Sequence, residues 1–215
     1  MADTAPPDTV RPPQEDSLRA VLADLRAVDG ALYAAVAATP TPTLDRGLRL
    51  LSAAADNSKI SFAVATALAL AGGRARRAAL AGVGAVTIAS ASANLIGKRL
   101  VRRPRPDREA ARVTVARHVP MPASASFPSG HTASAVAFAT AVGVVLPPAA
   151  VPLGILASAV GYSRVHTGVH YPGDVAAGAV LGLTAAVVSL TLTDRLLPGT
   201  ELTARGRNNG TPQGT

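Results

Sequence analysis

Val175-Ala-Ala-Gly-Ala-Val-Leu-Gly-Leu-Thr-Ala-Ala-Val-Val-Ser-Leu-Thr-Leu-Thr193 contains no charged residue, and the way it repeats along the chain decides the fold. Roughly 20 apolar residues cross the hydrocarbon core of a bilayer, and this run meets that length. Towards the N-terminus, Thr132 to Ser163 and Ala78 to Gly97 are also free of charge, and Ile60 to Gly73 is a shorter run of the same kind. Thr132 to Ser163 is too long for one crossing and is broken by Pro147, Pro148 and Pro152, so it reads as two spans joined by a proline turn. Ile60 to Gly73 crosses only with help from Lys59 and Arg74 snorkelling or from the preceding Ala53 to Ala55. The expected fold is all-α: a polytopic membrane helical bundle with four to five transmembrane helices. A soluble alanine-rich bundle is the competing reading, but long uncharged runs with charged flanks favour the membrane. Gly178 and Gly182 form a small-xxx-small pattern of the kind that lets membrane helices approach closely.

The ends of the chain differ in character. Leu18, Val21, Leu22, Leu25, Leu32 and Val36 fall on one face of a helix that Ser17 would cap, with Arg19, Asp24, Arg26 and Asp29 elsewhere. A second amphipathic piece starts at Thr43 and carries Leu44, Leu48 and Leu51, with Arg46 and Arg49 available to headgroups. Pro6, Pro7, Pro12 and Pro13 sit among acidic and polar residues, and residues 198–215 are mostly Gly, Thr, Arg and Asn. The expected organisation is a disordered tail over 1–16, amphipathic interfacial helices over 17–55, a membrane-embedded domain over 56–197 and a disordered tail over 198–215. The N-terminus has no basic start followed by an apolar core, so no cleaved signal peptide is expected, and no internal repeat is apparent.

Composition narrows the chemistry. With no cysteine among 215 residues, disulfides, thiolate zinc sites, iron–sulfur clusters and cysteine nucleophiles are excluded. The formal charge of +8 points to an anionic partner, and the mean hydropathy of +0.29 favours membrane lipid over nucleic acid. Only 3% of the residues are aromatic, which leaves little for base stacking, so no nucleic-acid partner is expected.

Three polar islands interrupt the apolar region, and ionisable residues beside membrane spans are costly enough to mark function. Lys98-Arg-Leu-Val-Arg-Arg-Pro-Arg105-Pro106 follows the second run. Phe127-Pro128-Ser129-Gly130-His131 opens the third, where a turn feeding a helix gathers free backbone N–H groups at the positive end of the helix dipole. Ser163-Arg164-Val-His166-Thr-Gly-Val-His170-Tyr171-Pro172-Gly173-Asp174 joins the fourth and fifth, with Pro172 or Gly173 starting the last helix. A carboxylate on imidazole Nδ1–H leaves Nε2 free as nucleophile or base, which casts His170 and Asp174 as a pair. The span count places all three islands on one membrane face, where Lys98, Arg105, Arg164 and the N–H groups of Ser129 and Gly130 suit a phosphoryl group.

These residues resemble the three-part signature of the type 2 phosphatidic acid phosphatase superfamily, which also includes glucose-6-phosphatase and the vanadium haloperoxidases. Lys98, Arg105 and Pro106 match the first part, Pro128 to His131 the second, and Ser163, Arg164, His170 and Asp174 the third. The resemblance implies a metal-independent phosphatase, with no cofactor, whose phosphohistidine forms on His170. Asp174 would orient that histidine, and His131 would protonate the leaving oxygen and later activate water. Lys98, Arg105, Ser129, Gly130 and Arg164 would hold the phosphoryl oxygens. His118 and His166 match no defining position and read as structural or surface residues, while Arg99, Arg102 and Arg103 read as membrane flank. The implied partners are a lipid phosphate substrate and membrane lipids. Small actinobacterial members of the family act on polyprenyl phosphates such as decaprenylphosphoryl-5-phosphoribose, and glycerolipid phosphates fit the same motifs. The haloperoxidases are larger and soluble, which the spans argue against, and a non-enzymatic lipid-phosphate binder or transporter is the alternative. Arg99, Arg102, Arg103, Arg108, Arg112 and Arg117 bias the site towards the cytoplasmic face of a bacterial inner membrane.

Overall fold

The computed structural model describes residues 13–197. The tail expectations for 1–12 and 198–215 lie outside the described residues. Seven helices of more than one or two turns follow one another among them: α1 (Pro13–Ala38), α2 (Pro42–Ala54), α3 (Lys59–Ala71), α4 (Gly73–Leu100), α5 (Gly130–Val145), α6 (Ala150–His166) and α7 (Pro172–Leu196). The long uncharged run does divide into two helices, with a 3₁₀ turn at Pro147–Ala149 between them. The first helix starts at Pro13, earlier than expected, so Ser17 is not its cap and residues 13–16 are helical. A proline suits a first turn because the N–H it lacks would be unpaired there.

The centre of the bundle is α4, α5 and α7, joined by alanine. Ala81, Ala85 and Ala89 face Ala133, Ala137 and Ala141, with Ala185 and Ala186 closing the third side. The spacing of four keeps each row on one helical face. Such a core works by close backbone approach. A Cβ added to Gly178 would stand 2.5 Å from the Ser129 carbonyl oxygen, and one on Gly182 the same distance from that of Ala133. Ser189 Oγ adds a 2.7 Å bond to the Ala81 carbonyl across helices. Phe138 and Val142 then fill the space between α3, α4 and α5.

Outside this core the apolar side chains face outward. In the most apolar stretches of α4 and α7 only 39% and 28% of the residues are buried, and Leu80, Val180 and Val187 are exposed. Those two helices are long and apolar enough to cross a membrane. Core helices of a soluble bundle would be mostly buried, so this exposure argues against the soluble alternative. The two N-terminal helices are inverted in the same sense. α2 buries Asp45 and Ser52 while Leu44 and Leu50 are exposed, and α1 buries Asp29 and Tyr33 while Leu18, Leu22, Leu25 and Leu32 are exposed.

The α2–α3 link is tight. Asn57 and Ser58 both adopt left-handed backbone (φ 54° and 57°), at about 1–2 kcal/mol each for residues with a Cβ. The next link, between α3 and α4, has the same need and meets it with Gly72 and Gly73.

Candidate active site

The first and third polar islands meet through Arg105. The end of α4 widens into a π-helical turn over Ser92–Gly97, and Gly97 leaves room for the ring of Pro128, 2.6 Å from where a Cβ would sit. Just beyond, Lys98 Nζ donates to Asn94 Oδ1 (2.7 Å) and Ser124 Oγ (3.1 Å). Arg105 is anchored by the carbonyls of Ser124 (2.9 Å, from Nε) and Val169 (2.7 Å, from Nη1). Its Nη1 also lies 3.3 Å from His170 Nε2. A guanidinium only donates, so Nε2 is the acceptor and carries the lone pair.

His170 lies in the connection between α6 and α7, 2% exposed. Its Nδ1 is 3.5 Å from Asp174 Oδ2, long for a hydrogen bond, and 3.4 Å from Ser126 Oγ. Asp174 is fully buried and well satisfied: Oδ2 accepts from Ser126 Oγ and from the Tyr171 N–H (2.9 Å), and Oδ1 accepts from Arg103 Nη1 (3.0 Å). Burial pushes the His170 imidazole down to about 4; the Asp174 carboxylate opposes this, while Arg105 and Arg164 reinforce it. His170 is therefore neutral at physiological pH, the form that can attack.

The second island is placed as its capping chemistry requires, with one correction. Ser129 is the N-cap of α5, its hydroxyl 2.9 Å from Thr132 Oγ1. Its own N–H donates to the Asp174 carbonyl oxygen (2.9 Å) and so is not available to an anion; the expected pair of backbone donors is reduced to Gly130. The same bond ties the start of α5 to the start of α7. His131 follows at the first turn, its Nε2 2.8 Å from Asp56 Oδ1. Asp56 Oδ1 is also 3.8 Å from Arg164 Nη1, which donates to Ser52 Oγ (2.7 Å) and the Ser52 carbonyl (3.2 Å). Arg164 is 2% exposed, and its Nε is buried without a partner, a donor that suits an anionic oxygen.

Arg103 is not flank. Its guanidinium bridges Asp174 (3.0 Å) and Asp29 (2.6 Å) and lies 4.0 Å over the Tyr171 ring. Asp29 also accepts from the Gly173 N–H (2.7 Å), so α1 closes the start of α7. Arg108 and Arg117 turn inward as well. Arg108 donates to the carbonyls of Gly168 and Val119, and Arg117 donates to Asp45 (2.9 Å). Asp45 also takes His166 Nε2 at 3.0 Å, which makes His166 a structural residue, and His118 Nε2 lies 3.1 Å from the Val113 carbonyl. Sequence reasoning missed Asp29, Ser52, Asp56, Arg103 and Ser126. Its one usable signal was that the acidic residues cluster in the N-terminal third while arginines cluster after α4.

Residues 78–197 match the PAP2 superfamily. The chain is 44% identical over 119 residues to decaprenylphosphoryl-5-phosphoribose phosphatase of Mycobacterium tuberculosis (strain ATCC 25618 / H37Rv), a match covering 54% of this chain and 60% of that protein. It is 39% identical over 158 residues to the protein of the same name from Mycolicibacterium smegmatis, covering 71% of this chain and 82% of that one. The crystal structure of a transmembrane PAP2 type phosphatidylglycerolphosphate phosphatase from Bacillus subtilis superposes with a TM-score of 0.64 at 21% identity, over 80% of this chain and 88% of that one. At that identity the likeness speaks for the fold.

Proposed function

The chain belongs to the PAP2 superfamily, and on that premise we propose that it is a membrane-embedded, metal-independent phosphatase that removes phosphate from a lipid phosphate through a phosphohistidine on His170. The observation that carries the proposal is His170 itself: buried and neutral, with Nε2 facing Arg105 and Nδ1 turned to Asp174 and Ser126.

In the first step Nε2 attacks phosphorus, the bond to the lipid oxygen breaks, and His131 delivers the proton that makes the leaving group an alcohol. Arg105 moves from Nε2 to a phosphoryl oxygen, beside Lys98, Arg164 Nε and the Gly130 N–H. Asp174 balances the positive charge on the phosphorylated imidazole. In the second step water attacks the phosphohistidine, His131 takes a proton from it, the P–N bond breaks and phosphate leaves. Ser129 serves as the cap that aims α5. In this reading cations and dipoles do the work.

The lipid character of the substrate is supported by the apolar side chains beside His131: Val64, Phe138, Leu153 and Leu156 line a narrow crevice of about 30 Å³ with it between α3, α5 and α6, the side on which an apolar leaving group would lie. The names of the mycobacterial relatives favour a polyprenyl-linked phosphate such as decaprenylphosphoryl-5-phosphoribose. α4 to α7 span a bacterial plasma membrane in this reading, with α3 as the short fifth crossing, the site on its cytoplasmic face, and α1 and α2 lying in the interface with their leucines in lipid. The arginine bias behind that orientation is smaller in the folded protein, because Arg103, Arg108 and Arg117 are engaged internally. A cysteine introduced at the exposed Ala123 should resist an impermeant thiol reagent in intact cells; labelling would place the site outside.

The test is phosphate release by detergent-purified protein with EDTA present, across polyprenyl and glycerolipid phosphates. Release that disappears in His170→Ala is the expected result. A folded protein that binds these lipids and releases nothing would be a binder or transporter.

A further inference from the structure

We propose that Asp56, outside the three motifs and outside the matched residues 78–197, is the positioning residue for His131, as Asp174 is for His170. The inference rests on the phosphatase reading above.

Three observations converge on it. Asp56 Oδ1 holds His131 Nε2 at 2.8 Å, a closer contact than the 3.5 Å between Asp174 and His170. The turn that presents Asp56 is held in left-handed backbone at two successive residues with side chains, Asn57 and Ser58, where the equivalent link after α3 uses glycines. Backbone of that kind concentrates at sites where geometry matters to function. Finally, the end of α2 just before the turn grips Arg164 through Ser52, so one elbow aligns both the proton donor and a phosphate-binding cation.

The chemistry fixes what this contact does. With Nε2–H given to Asp56, Nδ1 is the nitrogen left to face the lipid oxygen. When the ring is protonated at both nitrogens, Nδ1–H is the proton delivered as the P–O bond breaks. What remains is the neutral Nε2–H tautomer, still held by the carboxylate, with its Nδ1 lone pair ready to take a proton from the attacking water. Asp56 stays a carboxylate throughout and exchanges no proton. Its side chain is 46% exposed, against none for Asp174, so the donor is held at the wet edge and the nucleophile in the sealed interior.

The experiment compares two leaving groups. Decaprenyl phosphate releases an alkoxide that needs a proton, whereas 4-nitrophenyl phosphate releases a phenolate that does not. Asp56→Ala should lower turnover of decaprenyl phosphate about 10- to 100-fold, while first-turnover release of 4-nitrophenolate stays within about twofold of wild type. Asp56→Asn, which keeps an acceptor for Nε2–H, should retain most of the decaprenyl phosphate activity. Equal losses on both substrates would mean a merely structural role and would overturn the proposal, as would full decaprenyl phosphate activity in Asp56→Ala. First-turnover release that persists in His170→Ala would instead overturn the phosphohistidine reading, and this inference with it.

Discussion

Residues 78–197 and the N-terminal helices before them divide the work by charge. The matched region supplies the groups that would touch phosphate, which are cations, imidazoles and a backbone N–H, with Asp174 behind His170. The N-terminal segment supplies carboxylates that hold cations and imidazoles of that region: Asp29 on Arg103, Asp45 on Arg117 and His166, and Asp56 on His131. The difference teaches how a cradle built from positive charge is braced: Lys98 and Arg105 rest on neutral acceptors of their own region, while most of the carboxylates around the site come from outside it. Like charges repel, and anions inside the cradle would compete with the substrate. Placing the anions behind the cations, on separate helices, orients the cradle without filling it.

The sharpest way to break this comparison is inside the matched region. His170→Ala should leave no phosphate release above background. Asp174→Asn should cut kcat by about 10³- to 10⁴-fold in a protein that still folds, since the nucleophile loses its charge partner. Retention of tenfold-reduced activity in Asp174→Asn would move the orienting role to Ser126. In the N-terminal segment the effects should be smaller and of two kinds. Asp45→Ala leaves Arg117 buried with its charge unpaired, so about 3–5 kcal/mol of stability should be lost in a denaturation experiment while the folded fraction keeps its kcat. Asp29→Asn, which frees Arg103 from one of its two carboxylates, should lower kcat about tenfold at unchanged KM and leave stability within about 1 kcal/mol.

The smallest effect concerns pH. Protonated His170 cannot attack, and its pKa lies near 4 in place of 6.5, so histidine NMR of the folded protein should show this ring still neutral at pH 5. Because the unfolded chain takes up that proton near 6.5, the depressed pKa also stabilises the fold above that pH, and this contribution is lost as the pH falls towards 4. A His170 resonance that titrates near 6.5 would show that the site is wetter than the structure has it.

The parts of the molecule that were legible in the sequence are those whose signals are local. Ser129 announces the start of α5 and Pro172 the start of α7 by capping chemistry, and the three motifs carry their own spacing. Asp29 and Asp45 were illegible because a carboxylate on an amphipathic helix reads as solvent-facing. In α1 and α2 the sense is reversed, since lipid takes the leucines and the protein takes the acids. Arg103 hid for a related reason: within a run of arginines, spacing does not say which one turns inward. The Ser129 N–H looked free because its acceptor, the Asp174 carbonyl, is distant in sequence.

Gly178 and Gly182 bear on how steady the site is. Where α7 crosses α5 its glycines rest on the carbonyl oxygens of Ser129 and Ala133, so the distance between the helix carrying Asp174 and the helix carrying His131 is gauged by main-chain atoms. Main chain has no rotamers to exchange. The separation should therefore hold through changes of temperature, bilayer thickness or acyl composition that would repack an ordinary leucine interface, which leaves lipid surroundings free to vary without retuning the catalyst.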